Sequence, residues 1–378
     1  MRSRVILIAG LIVALAPPAA LAEMARATPW LCGVTQNTVY VGLEATNTTA
    51  ATVKYGLTNA YGSTASTQNT QAVGSNYVHN VNLTGLLPNT QYHYQVVQGS
   101  SVSGDYTFYT APVAGTTARW GFAADSRTQT TIHNNMAALI AGQNPRMMVY
   151  GGDLCDAWSE WFVPNQESLN ATVPWVNAPG NHEGWNATTR AYTQSAGGDP
   201  DYFSFDYGDS HIVVLNTEIS YSSGSPQWNF AAADLATSTA AWKVVAFHKP
   251  AYSTSRSDAG MQAMTAQIFE PNGVDLVLTG HDHYYQHNLV NGIHHMVIGS
   301  FGAPLYGVGT APYTVYSEST YCFGIIETTP NVLTLTTYRT NGSVIEVIQV
   351  PEPAGLSLLV LGGLALIRRR RGGRLPSP

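Results

Sequence analysis

The sequence predicts a β-sandwich followed by an α/β sandwich domain, and three patterns carry that expectation. Between residues 28 and 111, short runs of alternating apolar and polar residues are separated by turn signals, as in an all-β sandwich. Over residues 120–278, strand-like and helix-like runs alternate, the signature of α/β units. Over residues 293–348 the chain returns to β character. A length of 378 residues accommodates two domains of roughly 100 to 200 residues each. A charged fraction of 11% favours sheet and polar loops over long charged helices.

The elements follow in chain order. Residues 1–22 read as an export leader: Arg2 and Arg4 precede the apolar run 5–16, and Ala20-Leu21-Ala22 gives the small-x-small pattern a signal peptidase cleaves. The run is too short to span a membrane comfortably. Strand-like runs lie at 38–45, 51–55, 76–83, 91–98 and 105–110, with His79 and His93 on them as structural residues. Residues 112–117, uncharged and containing Pro and Gly, read as a linker, and the second domain occupies 118–349. Its strand-like runs are 120–124, 147–150, 173–177, 244–247 and 274–278; its helix-like runs are 130–141, 227–236 and 260–269. Asn341-Gly342 signals a hairpin turn.

At the end of the chain, Val350-Pro351-Glu352-Pro353 is followed by the apolar stretch 354–367 and then by Arg368, Arg369, Arg370 and Arg371. Such a positive cluster stays on the cytoplasmic side, leaving the body of the protein outside. The segment 350–378 resembles the PEP-CTERM sorting signal of Gram-negative bacteria. The resemblance implies transient membrane contact, processing by an exosortase-type protease, and a final place at the cell surface or in the extracellular matrix. A permanent tail anchor is the alternative. Removing both end segments turns the net charge of −6 into roughly −12, which argues against nucleic acid as a partner. Three cysteines are too few and too scattered for a zinc finger or a disulfide framework. Cys32 and Cys322 either pair outside the cell or remain buried thiols.

Residue types that bind metals recur where the strand-like runs stop. Asp125 follows 121–124, Asp153 follows 149–152, Asn181 and His182 follow 178–180, His248 follows 245–247, and His281 and His283 follow 278–280. In an open α/β sheet the carboxyl ends of the strands converge on the ligand crevice, so five dispersed segments become one site. A carboxylate can bridge two cations, neutral imidazoles bind first-row metals without adding negative charge, and an asparagine offers a neutral amide oxygen. The site then stays net positive and suits an anionic ligand.

The order of these segments resembles the metallophosphoesterase superfamily, most closely its purple acid phosphatase branch, which also carries an N-terminal β-sandwich. Gly152-Asp153, Gly180-Asn181-His182-Glu183, His248 and Gly280-His281-Asp282-His283 match the second to fifth motifs. The first survives as Ala124-Asp125-Ser126-Arg127, with alanine before the aspartate. The resemblance implies a four-layer α/β sandwich in which Asp125, Asp153 and His283 hold one metal, and Asp153, Asn181, His248 and His281 the other. His182 would donate a hydrogen bond to the phosphoryl group or protonate the leaving oxygen. In the first domain, Leu87-Pro88-Asn89-Thr90-Gln91-Tyr92 looks like the tyrosine corner of fibronectin type III domains.

This chain also departs from the pattern. Where the purple branch has the tyrosine that gives it colour by charge transfer to ferric iron, it has Asp156; where the wider superfamily has a histidine, it has Arg127. Asp156 is counted with the metal ligands, either binding directly or orienting another group. The substrate-gripping histidines after the fourth motif are replaced by a segment containing Arg256. Arg127 and Arg256 are the available cations, and guanidinium suits phosphate oxygens. His287, His294 and His295 read as structural.

Together these readings give a secreted hydrolase with two divalent ions (iron, manganese or zinc) that cleaves phosphate monoesters by in-line attack of metal-bound hydroxide. A phosphodiesterase or nucleotide hydrolase on the same site is one alternative, and a non-catalytic matrix or adhesive protein is another.

Overall fold

The computed structural model describes residues 24–196 and 201–351; the leader expected at 1–22 and the sorting segment from residue 352 onward lie outside them. In the N-terminal part, one layer comprises the strands Ser63–Ser66, Thr52–Gly56 and Gln91–Gln98, with Ser101–Val102 and Tyr106–Tyr109 beside the last. The facing layer comprises Thr38–Ala45, Asn76–Thr84 and Asn69–Val73. Alternation places Val39, Val41, Leu43, Val53, Val81, Leu83, Tyr94 and Val96 between the layers. The polar strands Ser63–Ser66 and Asn69–Val73 carry no apolar alternation. They are strands because they lie at the two edges, paired to Thr52–Gly56 and to Asn76–Thr84. The Tyr92 hydroxyl accepts from the Leu87 amide at 3.0 Å, tying its strand to the preceding turn.

The second part contains two sheets face to face. Ala118–Ala123, Met148–Tyr150 and Trp175–Asn177 run parallel, and Cys322–Thr329, Val332–Arg339 and Val344–Pro351 extend that sheet antiparallel. The opposing sheet holds the parallel strands Ser210–Val214, Trp242–Ala246, Leu276–Thr279 and Ile293–Ile298, flanked by Phe203–Tyr207, Tyr285–Val290 and Thr314–Glu318. Trp120, Phe122, Val149, Ile212, Val244, Leu276 and Met296 fill the space between them. Outside, the helix Thr130–Gly142 packs Met136, Ala137 and Ile140 on one sheet, and Pro226–Thr237 with Ala259–Met264 covers the other. The helix Pro226–Thr237 starts where Ser225 accepts from the Trp228 amide and proline occupies the first turn. The helix-like run 260–269 divides into α-helix and a π-helical turn, Thr265–Phe269.

The two parts share a sheet. Trp30–Cys32 pairs antiparallel with Thr38–Ala45 on one side and parallel with Trp175–Asn177 on the other, so one ten-stranded sheet runs through both. The Trp30 indole donates to the Tyr192 carbonyl at 3.2 Å and packs on Phe162 and Tyr192. Residues 112–117 are tied down rather than free: the Pro112 carbonyl accepts from Gly208 at 3.1 Å, and the Gly115 amide donates to Asp209 at 2.7 Å.

Candidate metal centre

Five of the parallel strands, Ala118–Ala123, Met148–Tyr150, Trp175–Asn177, Trp242–Ala246 and Leu276–Thr279, are followed by the ligand-type residues Asp125, Asp153, Asn181, His248, and His281 with His283. Ligand atoms of Asp125, Asp153 and His283 lie within 4.8 Å of one another, as do those of Asp153, His248 and His281. Asp153 belongs to both groups. Sharp turns achieve this convergence: Asp125, Asp153 and His281 have φ of 61°, 51° and 69°, a left-handed backbone that costs a non-glycine residue about 1–2 kcal/mol. Such strain persists only where the surroundings enforce it. Glycines make the room: a Cβ at Gly180 would overlap the backbone and carboxylate of Asp153, and one at Gly280 would overlap the carboxylate of Asp125.

Hydrogen bonds fix the side chains. The His182 amide donates to Asp153 Oδ1 at 2.9 Å, and the His281 amide to Asp125 Oδ2 at 2.8 Å. His248 Nδ1 donates to the Gly151 carbonyl and His283 Nδ1 to the Pro304 carbonyl, each at 2.7 Å. Both histidines therefore turn an Nε2 lone pair inward. His248 Nε2 lies 3.3 Å from Asp153 Oδ1 and 3.2 Å from His281 Nδ1; His283 Nε2 lies 3.4 Å from Asp125 Oδ1. Asp125 Oδ1 is buried without a hydrogen-bond partner.

Lone pairs and carboxylate oxygens crowded in this way repel unless cations stand among them, so the donor set fits two metal ions. The charges show the same tension. Burial raises the Asp125 carboxyl, with His283 opposing. Burial also works against the ionised Asp153 carboxyl, but His248 and the His182 amide hold it well below the usual carboxylate range. Burial would lower the His248 imidazole, yet Asp153 pushes it up to about 9. Burial, then the His248 and Arg256 charges, lower His281 to about 3.

The other predicted residues fall around this centre. Asn181 is exposed on the loop after Trp175–Asn177, one residue before His182. Asp156, counted with the ligands, lies outside both groups: its Oδ1 meets His182 Nδ1 at 2.6 Å and its Oδ2 faces Arg127 at 3.7 Å. The His182 imidazole takes one of its oxygens, and the other stands open towards the Arg127 guanidinium. Arg127 Nε lies 3.7 Å from Asp153 Oδ2. Arg256 reaches the site from another wall, donating to Asp282 Oδ1 at 2.6 Å and to the His281 carbonyl. Tyr284 bonds Asp282 and Ser253, and Tyr285 bonds Glu346.

Three residues of this region escaped the sequence reading. Glu183, the last residue of the segment Gly180-Asn181-His182-Glu183, accepts from the Asp153 and Leu154 amides at 3.1 and 3.2 Å and from Asn177 at 3.3 Å. It thereby holds the turn that carries Asp153, and burial followed by the Asp153 charge raises it to about 7. Tyr306 stacks on His283 at 4.0 Å, and Asp282 anchors Arg256. Among the outlying histidines, His287 bonds Glu346 and His294, while His295 is buried against Tyr252. All three cysteines are free and buried.

Known proteins are similar to this chain in sequence and in fold. Residues 126–285 match the calcineurin-like phosphoesterase family, and residues 32–110 match the purple acid phosphatase N-terminal domain. Purple acid phosphatase 15 of Arabidopsis thaliana is 28% identical over 263 residues, covering 56% of this chain and 49% of its own length. An uncharacterized protein of Mycobacterium tuberculosis is 28% identical over 266 residues, covering 55% and 50%. The chain thus spans about half the length of the curated relatives it matches. In fold it is similar to the purple acid phosphatase PPD1 of yellow lupin, with a TM-score of 0.73 at 19% identity over 85% of this chain and 74% of that one. It is also similar to PhoD, with a TM-score of 0.65 at 14% identity over 86% and 92%. The second part of the chain is thus similar in sequence to calcineurin-like phosphoesterases and in fold to a purple acid phosphatase. The part in front of it is similar to the N-terminal domain of purple acid phosphatases.

Proposed function

We propose that this protein hydrolyses phosphate monoesters at a two-metal site outside the cell. The observation that carries the reading is the pair of ligand groups sharing Asp153. Asp125, Asp153 and His283 would hold one ion, and Asp153, His248, His281 and Asn181 the other. Bound there, the ions would neutralise phosphate charge and make water acidic enough to react near neutral pH. Asp156, 2.6 Å from His182 Nδ1, orients the ring, and the doubly protonated imidazole would pass its Nε2 proton to the leaving oxygen. Arg127, beside the shared carboxylate, offers its guanidinium to the phosphoryl oxygens.

The relatives' names, purple acid phosphatase and phosphoenolpyruvate phosphatase, favour monoesters over diesters. The test is metal analysis of purified protein together with hydrolysis of p-nitrophenyl phosphate and bis(p-nitrophenyl) phosphate. Faster turnover of the diester would reverse the choice. Turnover of neither, with two metals bound, would favour the adhesive alternative.

Two finer points belong to the same reading. The Tyr92 hydroxyl bond supports a fibronectin type III-like character for the first domain. The leader at 1–22 and the apolar, arginine-closed tail support export, membrane contact and exosortase-type processing near Pro351-Glu352-Pro353. A native surface protein whose measured mass includes an intact tail to Pro378 would sink the processing claim.

A further inference from the structure

One fully buried carboxylate of this region binds neither group of ligands. Asp282 stands in sequence between His281 and His283, and its oxygens are taken by the Ser253 hydroxyl, the Tyr284 hydroxyl at 3.1 Å, and both the amide and Nε of Arg256 at 3.2 and 2.6 Å. Arg256 Nη2 donates onward to the His281 carbonyl. The guanidinium plane is therefore pinned at two edges and its backbone at a third point, while Nη1 has no partner among these contacts. Its carbon lies 5.2 Å from the centre of the Tyr306 ring, which itself stacks on His283. A flexible cation has become a fixed donor beside a predicted metal ligand.

The two arginines stand at different depths. Arg127 is 14% exposed and faces the carboxylate shared by both ligand groups, where the phosphoryl group under attack must lie. Arg256 is 44% exposed and contacts none of the clustered carboxylates, which leaves it open to what a bound phosphoryl group would carry outward. With Nε and one Nη2 proton engaged, Nη1 and the second Nη2 proton are left to donate to a second oxyanion. We propose that Arg256, aimed by the positioning residue Asp282, is a specificity-determining residue that selects phosphate esters whose leaving group bears an oxyanion, a second phosphate or a carboxylate. This inference rests on the phosphoesterase reading above.

The test is calorimetric titration of the metal-loaded protein with methylphosphonate, methylenediphosphonate and phosphonoacetate. These share one phosphonate and differ in the second group: none, a phosphonate, or a carboxylate. The wild type is expected to prefer at least one two-anion ligand, and which one identifies the source of the oxyanion. Arg256→Gln should cut that preference by about ten- to a hundredfold, the range of a lost charge-assisted hydrogen bond. Chelation of the metals by the second group does not depend on Arg256, so the ratio between variants isolates the guanidinium. Asp282→Asn should erode the preference although the arginine remains, raising KM for two-anion esters more than it lowers kcat. If that variant fails to fold, Arg256→Gln carries the test alone. Equal weakening of all three ligands by Arg256→Gln, or no preference in the wild type, overturns the proposal. If the metal-loaded wild type neither binds methylphosphonate nor turns over any ester, the phosphoesterase reading falls and the inference with it.

Discussion

Asp153 sits in both ligand groups, so its loss acts on two ions at once. Asp153→Ala is expected to abolish hydrolysis and empty both positions in metal analysis. His182→Ala should keep its metals and lose rate by about a hundredfold to ten-thousandfold, the range of a missing acid–base group. Equal metal loss in the two variants would place His182 among the ligands. Position 156 predicts colour: its carboxylate carries no phenolate electron, bonds His182 and faces Arg127, while the Tyr284 and Tyr285 hydroxyls are held elsewhere. Iron-loaded protein should therefore lack an intense purple band, and visible spectroscopy decides it. At this scale much was legible, because His281, His283, His248 and Asp153 announce themselves by following strand-like runs. Asp282 and Tyr306 did not, because their roles exist only through Arg256 and His283, which come from other segments of the chain.

The turns between elements set how tightly the site is built. Gly180→Ala places a methyl against the Asp153 backbone, which cannot move aside as a flexible side chain would. It should lose metal affinity while far-UV circular dichroism stays near that of the wild type; wild-type affinity would show that the turn can yield. Far from the site, His211 on Ser210–Val214 bridges Asp206 of the neighbouring strand and Asp234 of the helix Pro226–Thr237, each at 2.7 Å, with Lys243 opposite on Trp242–Ala246. Burial would lower this imidazole, but the two carboxylates push it up to about 9. A raised folded-state value stabilises fully below the ordinary 6.5 and is lost as pH rises through about 9. The melting-temperature gap between wild type and His211→Asn should accordingly be larger at pH 6 than at pH 10; a constant gap would refute the charge argument. Long alternating runs such as 91–98 gave their strands away in sequence. Polar edge strands such as Ser63–Ser66 did not, since pairing rather than burial makes them strands.

The molecule as a whole is less divisible than its sequence implies. The shared strand Trp30–Cys32 is three residues long, too short for a periodic signal, and its partner Trp175–Asn177 lies far along the chain. An expected linker was legible in composition; its anchoring to Gly208 and Asp209 was not. The protein should melt in a single calorimetric transition, and a chain beginning at residue 112 should aggregate, because it would open the Trp175–Asn177 edge and uncover the surface beneath Trp30. Two separate transitions, or a soluble folded truncation, would refute this. The same joint bears on how such genes can change. A domain bounded by a pliant connector can be gained or lost in one recombination event, but a crossover at this boundary would cut through a continuous sheet. Descent should therefore keep the two halves together, with Trp30 and its ring partners Phe162 and Tyr192 varying in concert across relatives rather than independently.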